Sequence, residues 1–186
     1  MKSRRPRIPQ RRLVFLGCEG KSEASYAALL DRLADEAGLG LHIHPIVLQP
    51  GAGDPLQLVR RAIKLIREFE RKRSKFAVKA MLLDHGDPKR CHEAAKLARD
   101  AGITHLILQV PDHEAFLLRH LPNLQQRRPP ARSSLAALVK VWPDYAEGIP
   151  MLRLAERVGL PEVALAASVE PDFRLLLMTV GFAVAK

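Results

Sequence analysis

Apolar residues recur along this chain in two rhythms, one of short unbroken or alternating runs and one of helical spacing. Leu13 to Gly17 is a short apolar run that suits a buried strand. After the turn Glu19-Gly20-Lys21-Ser22, the residues Tyr26, Leu29, Leu30 and Leu33 share one helical face. This predicts a helix capped by Ser22, running to about Ala37 and stopped by Gly38 and Gly40. Leu41 to Leu48 alternates and predicts a second strand. Asp54 and Pro55 form a cap and first-turn pair for a long helix to about Arg73. Ala77 to Leu83 predicts a third strand ending at Asp84, followed by a helix from about Pro88 to Ala101. His105 to Val110 predicts a fourth strand, and Asp112 to about His120 a further helix.

Strands alternating with helices imply right-handed crossovers and a mainly parallel sheet. The rhythm changes after Pro122. Residues 122 to 134 are rich in Pro, Gln and Arg and read as a linker. From Leu135 onward the spacing is helical, over about 135–140, 149–158, 161–168 and 171–183. The expected fold class is α/β: a mainly parallel sheet flanked by helices over residues 12–121, with a helical tail over 135–186 packed on it. Residues 1–11 form a basic arm.

Composition sharpens this picture. The chain has 186 residues, 47% of them hydrophobic, which fits one globular domain and excludes a disordered chain. The formal net charge of +10 makes a polyanion the default partner: RNA, DNA or an acidic membrane surface. The membrane is the weaker reading, because the longest apolar stretch, Leu175 to Ala185, is too short to span a bilayer. No apolar stretch of the length a secretory leader needs follows the basic N-terminus, so no such leader is expected. The only two cysteines, Cys18 and Cys91, cannot build a disulfide framework or a four-ligand zinc site, so a cytoplasmic protein with reduced thiols is expected.

The basic residues gather in three places. The arm carries Lys2, Arg4, Arg5, Arg7, Arg11 and Arg12, either as a flexible phosphate-gripping tail or as a solvated terminus. The helix from Asp54 places Leu56, Val59, Ile63 and Ile66 on one side. Arg60, Arg61, Lys64, Arg67, Arg71, Lys72 and Arg73 are left for a basic outer stripe. The linker adds Arg127, Arg128 and Arg132. Arg60, Lys64, Arg67, Arg127 and Arg128 are the candidate nucleic-acid contacts.

Acids stand at the strand ends: Glu19 after the first strand, Asp84 and Asp87 after the third, Glu114 after the fourth. Ligands of open parallel sheets bind outside the carboxyl ends of the strands. The first and third strands are almost wholly apolar and belong in the sheet centre, so their ends should lie side by side. Mg²⁺ or Mn²⁺ takes hard oxygen ligands, held by one or two carboxylates with water and substrate phosphate. Glu19, Asp84 and Asp87 are the candidate metal ligands and catalytic acids. Turn and cap roles for the two aspartates stay open. Glu23, one helical turn past Glu19, either joins the site or lies on a solvated face. Lys21 or Lys89 could offset phosphate charge. Gly20-Lys21-Ser22 is not a phosphate-binding P-loop, because Phe15 stands where that loop needs glycine. His42 and His44 have no third ligand in view, and His105, His113 and His120 receive no role.

Three segments carry a family resemblance. Cys18-Glu19-Gly20-Lys21-Ser22-Glu23-Ala24-Ser25-Tyr26 resembles the first motif of the Toprim superfamily in its RloB-like branch. Leu82-Leu83-Asp84-His85-Gly86-Asp87 resembles its second, and Pro111-Asp112-His113-Glu114-Ala115-Phe116-Leu117-Leu118 its third. Trp142 to Gly148 is similar to a later segment. Two departures stand out: the usual D-x-D spacing would put an acid at Gly86, where the next acid is Asp87, and Phe116 lies where a tryptophan is usual nearby. The resemblance implies a Toprim-like fold, a metal-dependent site acting on phosphodiesters and a place in bacterial defence. It implies Glu19 as the catalytic glutamate and Asp84 and Asp87 as metal ligands; in the nuclease reading Glu114 is a supporting carboxylate. The expected function is a Mg²⁺- or Mn²⁺-dependent nuclease acting on RNA or DNA. The alternative is a catalytically degenerate nucleic-acid-binding protein.

Overall fold

The structure, a computed structural model, describes residues 11–49 and 53–184. Residues 1–10 of the basic arm, and 51 and 52 of the Gly51-Ala52-Gly53 loop, lie outside the described residues.

The first half winds in the predicted order: β1 (Arg12–Cys18), α1 (Lys21–Glu36), β2 (Leu41–Val47), α2 (Pro55–Lys72), β3 (Val78–Asp84), α3 (Pro88–Asp100), β4 (His105–Gln109) and α4 (His113–Leu118). The cap of α1 differs from the expectation: Gly20 is the N-cap, with Glu23 accepting from its N–H, and Ser22 lies inside the first turn. The four strands form one parallel sheet in the order β2-β1-β3-β4. The two most apolar strands, β1 and β3, sit in its centre. The chain is therefore α/β, with helices on both faces.

Strand periodicity sorts the core into two layers. Val14, Leu16, Val78, Ala80, Leu82 and Ile107 point to the face covered by α1, α4 and the C-terminal helices. Phe15, Met81 and Leu83 point to the face covered by α2 and α3. On α2, Leu56, Val59 and Ile66 are buried and Ile63 half-buried, while Arg60, Arg61, Lys64, Arg67, Arg71 and Lys72 are exposed. The amphipathic pattern thus settles that helix's orientation. The Asp54 carboxylate caps it, accepting from the Leu56 N–H at 3.0 Å.

The C-terminal half forms α5 (Ser134–Val141), α6 (Met151–Leu154), α7 (Leu160–Val169) and α8 (Pro171–Val180). Leu138, Trp142, Leu154, Val163, Phe173 and Leu177 belong to the same core layer as α1. Two spans are shorter than the spacing predicts. The 149–158 helix closes after four residues, where the chain tightens to a bond from Arg157 N–H to Leu154 O. The last helix stops at Gly181, whose φ of 106° ends it with bonds from Gly181 and Phe182 back to Leu177 O. Among the described residues, no helix is long and apolar enough to cross a membrane.

One buried ion pair ties α4 to α8. Arg119, wholly buried, places Nη1 2.7 Å from Glu170 Oε1 and donates through Nη2 to Val110 O. Removing one partner of such a pair strands a charge in the interior. Glu170→Ala should cost about 3 kcal/mol in urea denaturation. Arg128→Ala, which removes only the exposed 3.5 Å partner of Glu170, should cost about 0.5 kcal/mol or less. Equal losses for the two variants would contradict the assigned geometry.

Candidate active site

The sheet order reverses direction between β1 and β3. From β1 the chain crosses to β2 on one side, and from β3 to β4 on the other. The helices that follow, α1 and α3, leave on opposite faces and open a crevice at the carboxyl edge, the usual ligand position in such sheets. Glu19 and Asp84 stand there on adjacent strand ends. Glu19 N–H donates to Leu82 O at 3.2 Å. The Glu19 carboxylate accepts from Asp84 N–H at 3.0 Å and from Gly53 N–H at 3.3 Å. Both of its oxygens are thus aimed by backbone donors, one at the end of β3 and one in the loop before α2.

A cleft of about 410 Å³ lies over these ends, and Glu19, Lys21, Glu23, Asp84, His113, Glu114 and Glu147 are among its lining residues. Glu23 is buried, so the solvated-face alternative does not hold for it. Its Oε2 accepts from Gly20 N–H at 3.0 Å at the start of α1. Glu114 accepts from the Tyr145 hydroxyl at 2.8 Å, and Ser22 Oγ accepts from Gly148 N–H at 2.8 Å. The segment after α5 therefore forms one wall. Sequence patterning gave no role to Tyr145, Glu147 or Ser22 at this site, because contacts between residues over 30 positions apart leave no periodic trace.

Two candidates fall elsewhere. Asp87 is exposed, caps α3 by accepting from Arg90 N–H at 3.0 Å, and does not line the cleft. Lys89 is exposed on α3, also away from the lining. Gly86 has a physical reason. A side chain there would begin 3.3 Å from Gly53 O and from Pro55 Cδ, so the turn packs tightly against the start of α2. Arg60, Lys64 and Arg67 are exposed along α2, which begins beside the Gly53 amide that holds Glu19. Arg127 and Arg128 line a separate cleft of about 520 Å³ with Lys140 and Pro130.

The cleft is electrostatically loaded. Asp84's carboxyl is pushed up to about 8, first by burial and then by the negative charges of Glu23, Glu19, Asp112 and Glu114. Its Oδ1 is buried with no hydrogen-bond partner among the described residues. Burial also raises Glu19, Glu23 and Glu114, and backbone or Tyr145 hydrogen bonds oppose the shift. Among the described residues, none of Glu19, Glu23, Asp84, Glu114 and Glu147 forms an ion pair.

Comparison with family models, with curated proteins and with solved structures finds no match to this chain.

The Asp84 shift has a definite sign in stability. Its folded value of about 8 lies above the ordinary 3.8, so the contribution of this group to stability declines as pH rises through that window. Asp84→Asn removes the titration. Without divalent cations, the variant's gain in Tm over the native protein should be small near pH 4, grow toward pH 8 and then level off. A gain independent of pH would contradict the assigned shift.

Proposed function

We propose that the cleft over β1 and β3 binds a divalent cation and acts on phosphodiesters of a nucleic acid. The carrying observation is the partnerless, buried Asp84 Oδ1 facing a group of carboxylates that, among the described residues, no basic side chain neutralises. Concentrated like charge destabilises the folded state unless a cation joins it. The donor set is oxygen-rich, which suits Mg²⁺ or Mn²⁺. Among the described residues no three His, Cys, Asp or Glu side chains form a ready-made metal cage. The fit is therefore to a cation held by one or two carboxylates, Asp84 and Glu19, with water and substrate phosphate completing its shell.

Such a cation would polarise a phosphoryl oxygen and lower the pKa of bound water. The chain supplies the rest. Glu19, fixed by two backbone N–H groups, keeps one orientation and is placed to ligate or to exchange a proton with the reacting groups. Lys21, exposed on the rim, offsets phosphate charge. Glu114 is held by Tyr145 and supports the acidic wall. This reading keeps Glu19 and Asp84 as the working acids, adds Glu23, and leaves Asp87 as a helix cap. It follows the Toprim-like, RloB-like motif resemblance, which carries with it the expectation of a place in bacterial defence.

Mg²⁺ or Mn²⁺ should raise the Tm of the native protein and leave that of Asp84→Asn unchanged. Glu19→Gln and Asp84→Asn should each lower metal-dependent cleavage of RNA or DNA by about 100-fold or more. Native-like cleavage by both variants would sink the assignment.

The second reading is nucleic-acid binding without cleavage, favoured by the exposed basic face of α2. Replacing Arg60, Lys64 and Arg67 together with Gln should weaken binding. The slope of log affinity against log salt should fall by roughly 0.9 for each phosphate that the variant no longer neutralises. An unchanged slope would place the nucleic acid elsewhere on the surface. Binding without cation-dependent cleavage would select this second reading over the first.

A further inference from the structure

Asp84 and Gln109 are partners in the β3–β4 register, and both continue the face occupied by Leu82 and Ile107. Gln109 is wholly buried, and its Nε2 lies 2.9 Å from His113 Nδ1. His113 is 2% exposed, with its ring edge-on to Tyr26 at a centroid separation of 6.0 Å. Its other nitrogen, Nε2, is buried without a hydrogen-bond partner among the described residues, and the ring lines the acidic cleft. His120 uses both of its nitrogens, with Nε2 2.6 Å from the Tyr26 hydroxyl and Nδ1 3.0 Å from Phe116 O. His113 uses only one.

Donor and acceptor chemistry assigns the proton. In the orientation the structure gives the Gln109 amide, Nε2 donates to His113 Nδ1, the neutral ring carries its hydrogen on Nε2, and Gln109 Oε1 is buried without a partner among the described residues. The opposite orientation, with Oε1 accepting from Nδ1–H, is the one that hydrogen on Nδ1 would report. That hydrogen belongs to a group with no acceptor among the described residues, in a cleft otherwise dominated by carboxylates. A buried donor gains most from an acceptor brought by a ligand.

We propose that His113 presents Nε2–H as a neutral donor to a phosphate oxygen bound beside Asp84, and that Gln109 is the positioning residue that sets this tautomer. The inference rests on the phosphodiester reading and deepens it by naming the group that meets the phosphate inside the cleft. Neutrality is the useful property. A lysine or arginine at this depth would pair with the carboxylates and compete with a cation. An uncharged N–H does not, and it still distinguishes an oxyanion from water by direction and by charge.

Uniformly ¹⁵N-labelled full-length protein tests this directly, because two-bond ¹H–¹⁵N correlations of the histidine rings report the tautomer. The expected result is a neutral His113 with hydrogen on Nε2 at pH 7, whose Nε2 resonance shifts when inorganic phosphate is added with Mg²⁺. Gln109→Glu turns the Nδ1 partner into an acceptor. It should reverse the tautomer and weaken phosphate binding about tenfold. His113→Phe keeps an aromatic ring against Tyr26 and should weaken binding to a similar extent with little change in Tm. Hydrogen on Nδ1 in the native protein overturns the proposal. So does phosphate that shifts the Lys21 and Gly148 amides but leaves His113 Nε2 unmoved. Asp84-dependent Mg²⁺ binding with an unmoved His113 would defeat the donor role alone. Failure of Mg²⁺ to bind would defeat the phosphodiester reading, and the response of Nε2 to phosphate alone would still decide the donor role.

Discussion

The hydrogen bond from the Asp84 backbone to the Glu19 carboxylate is the contact on which the site depends. It exists because β1 and β3 are neighbours although they are not consecutive, so the loops after them diverge to opposite faces. A side chain from one strand end can then reach the backbone of the other without a helix in between. Both strands are buried on both faces, which fixes their register through packing as well as through the ladder. The position of Glu19 relative to Asp84 is consequently set by the most rigid part of the molecule. A site carried on the sheet centre holds its geometry better than one built on loops alone.

Around this centre the C-terminal half acts as a wall. Tyr145 reaches Glu114 and the Gly148 amide reaches Ser22, so a segment over 120 residues downstream closes on the first helix. The hydrophobic residues of α5 to α8 merge with those of α1 and β1 in one layer, and the Arg119–Glu170 pair adds a directional tie. Burial of the acids, and hence the upward displacement of Asp84, depends on this closure, since desolvation is the largest cause of that shift.

The alternating apolar rhythm of the first half made the sheet, the central place of β1 and β3 and the outward basic face of α2 legible in the sequence. Each depends on local periodicity, which survives in one dimension. Glu19 and Asp84 were legible for the same reason, as acids immediately after apolar strands. Asp87 shows the limit of that reasoning. It too follows a strand, but Pro88 behind it makes it the cap of α3, and its carboxylate turns to the Arg90 amide. Local cap chemistry outweighed position. The ends of the C-terminal helices were less legible, because Gly181 ends α8 through a left-handed turn that hydrophobic spacing does not register. His113 was invisible as a site residue, since its meaning lies in what Gln109 does to its far nitrogen.

A chain with a net charge of +10 and 20 acidic residues brings five of them, Glu19, Glu23, Asp84, Glu114 and Glu147, to the lining of one crevice. The two signs are separated by structure as well as by sequence. The α2 cations point outward along a helix whose N-terminal loop supplies the Gly53 donor to Glu19. A polyanion drawn to the basic surface by long-range attraction would meet repulsion at the crevice itself. On the proposed reading, a divalent cation resolves this conflict by reversing the local sign over a few ångströms. Screening confines that reversal to about 8 Å at physiological salt, so the basic exterior still governs approach. Affinity for the backbone and positioning of one phosphate would then be set by different residues, the exposed arginines and lysines for the first, Asp84, Glu19 and His113 for the second. The burial of the acids fits this division. Buried Asp84 holds its proton at neutral pH, and a divalent cation bound beside it would displace that proton and become the counter-charge of the carboxylate.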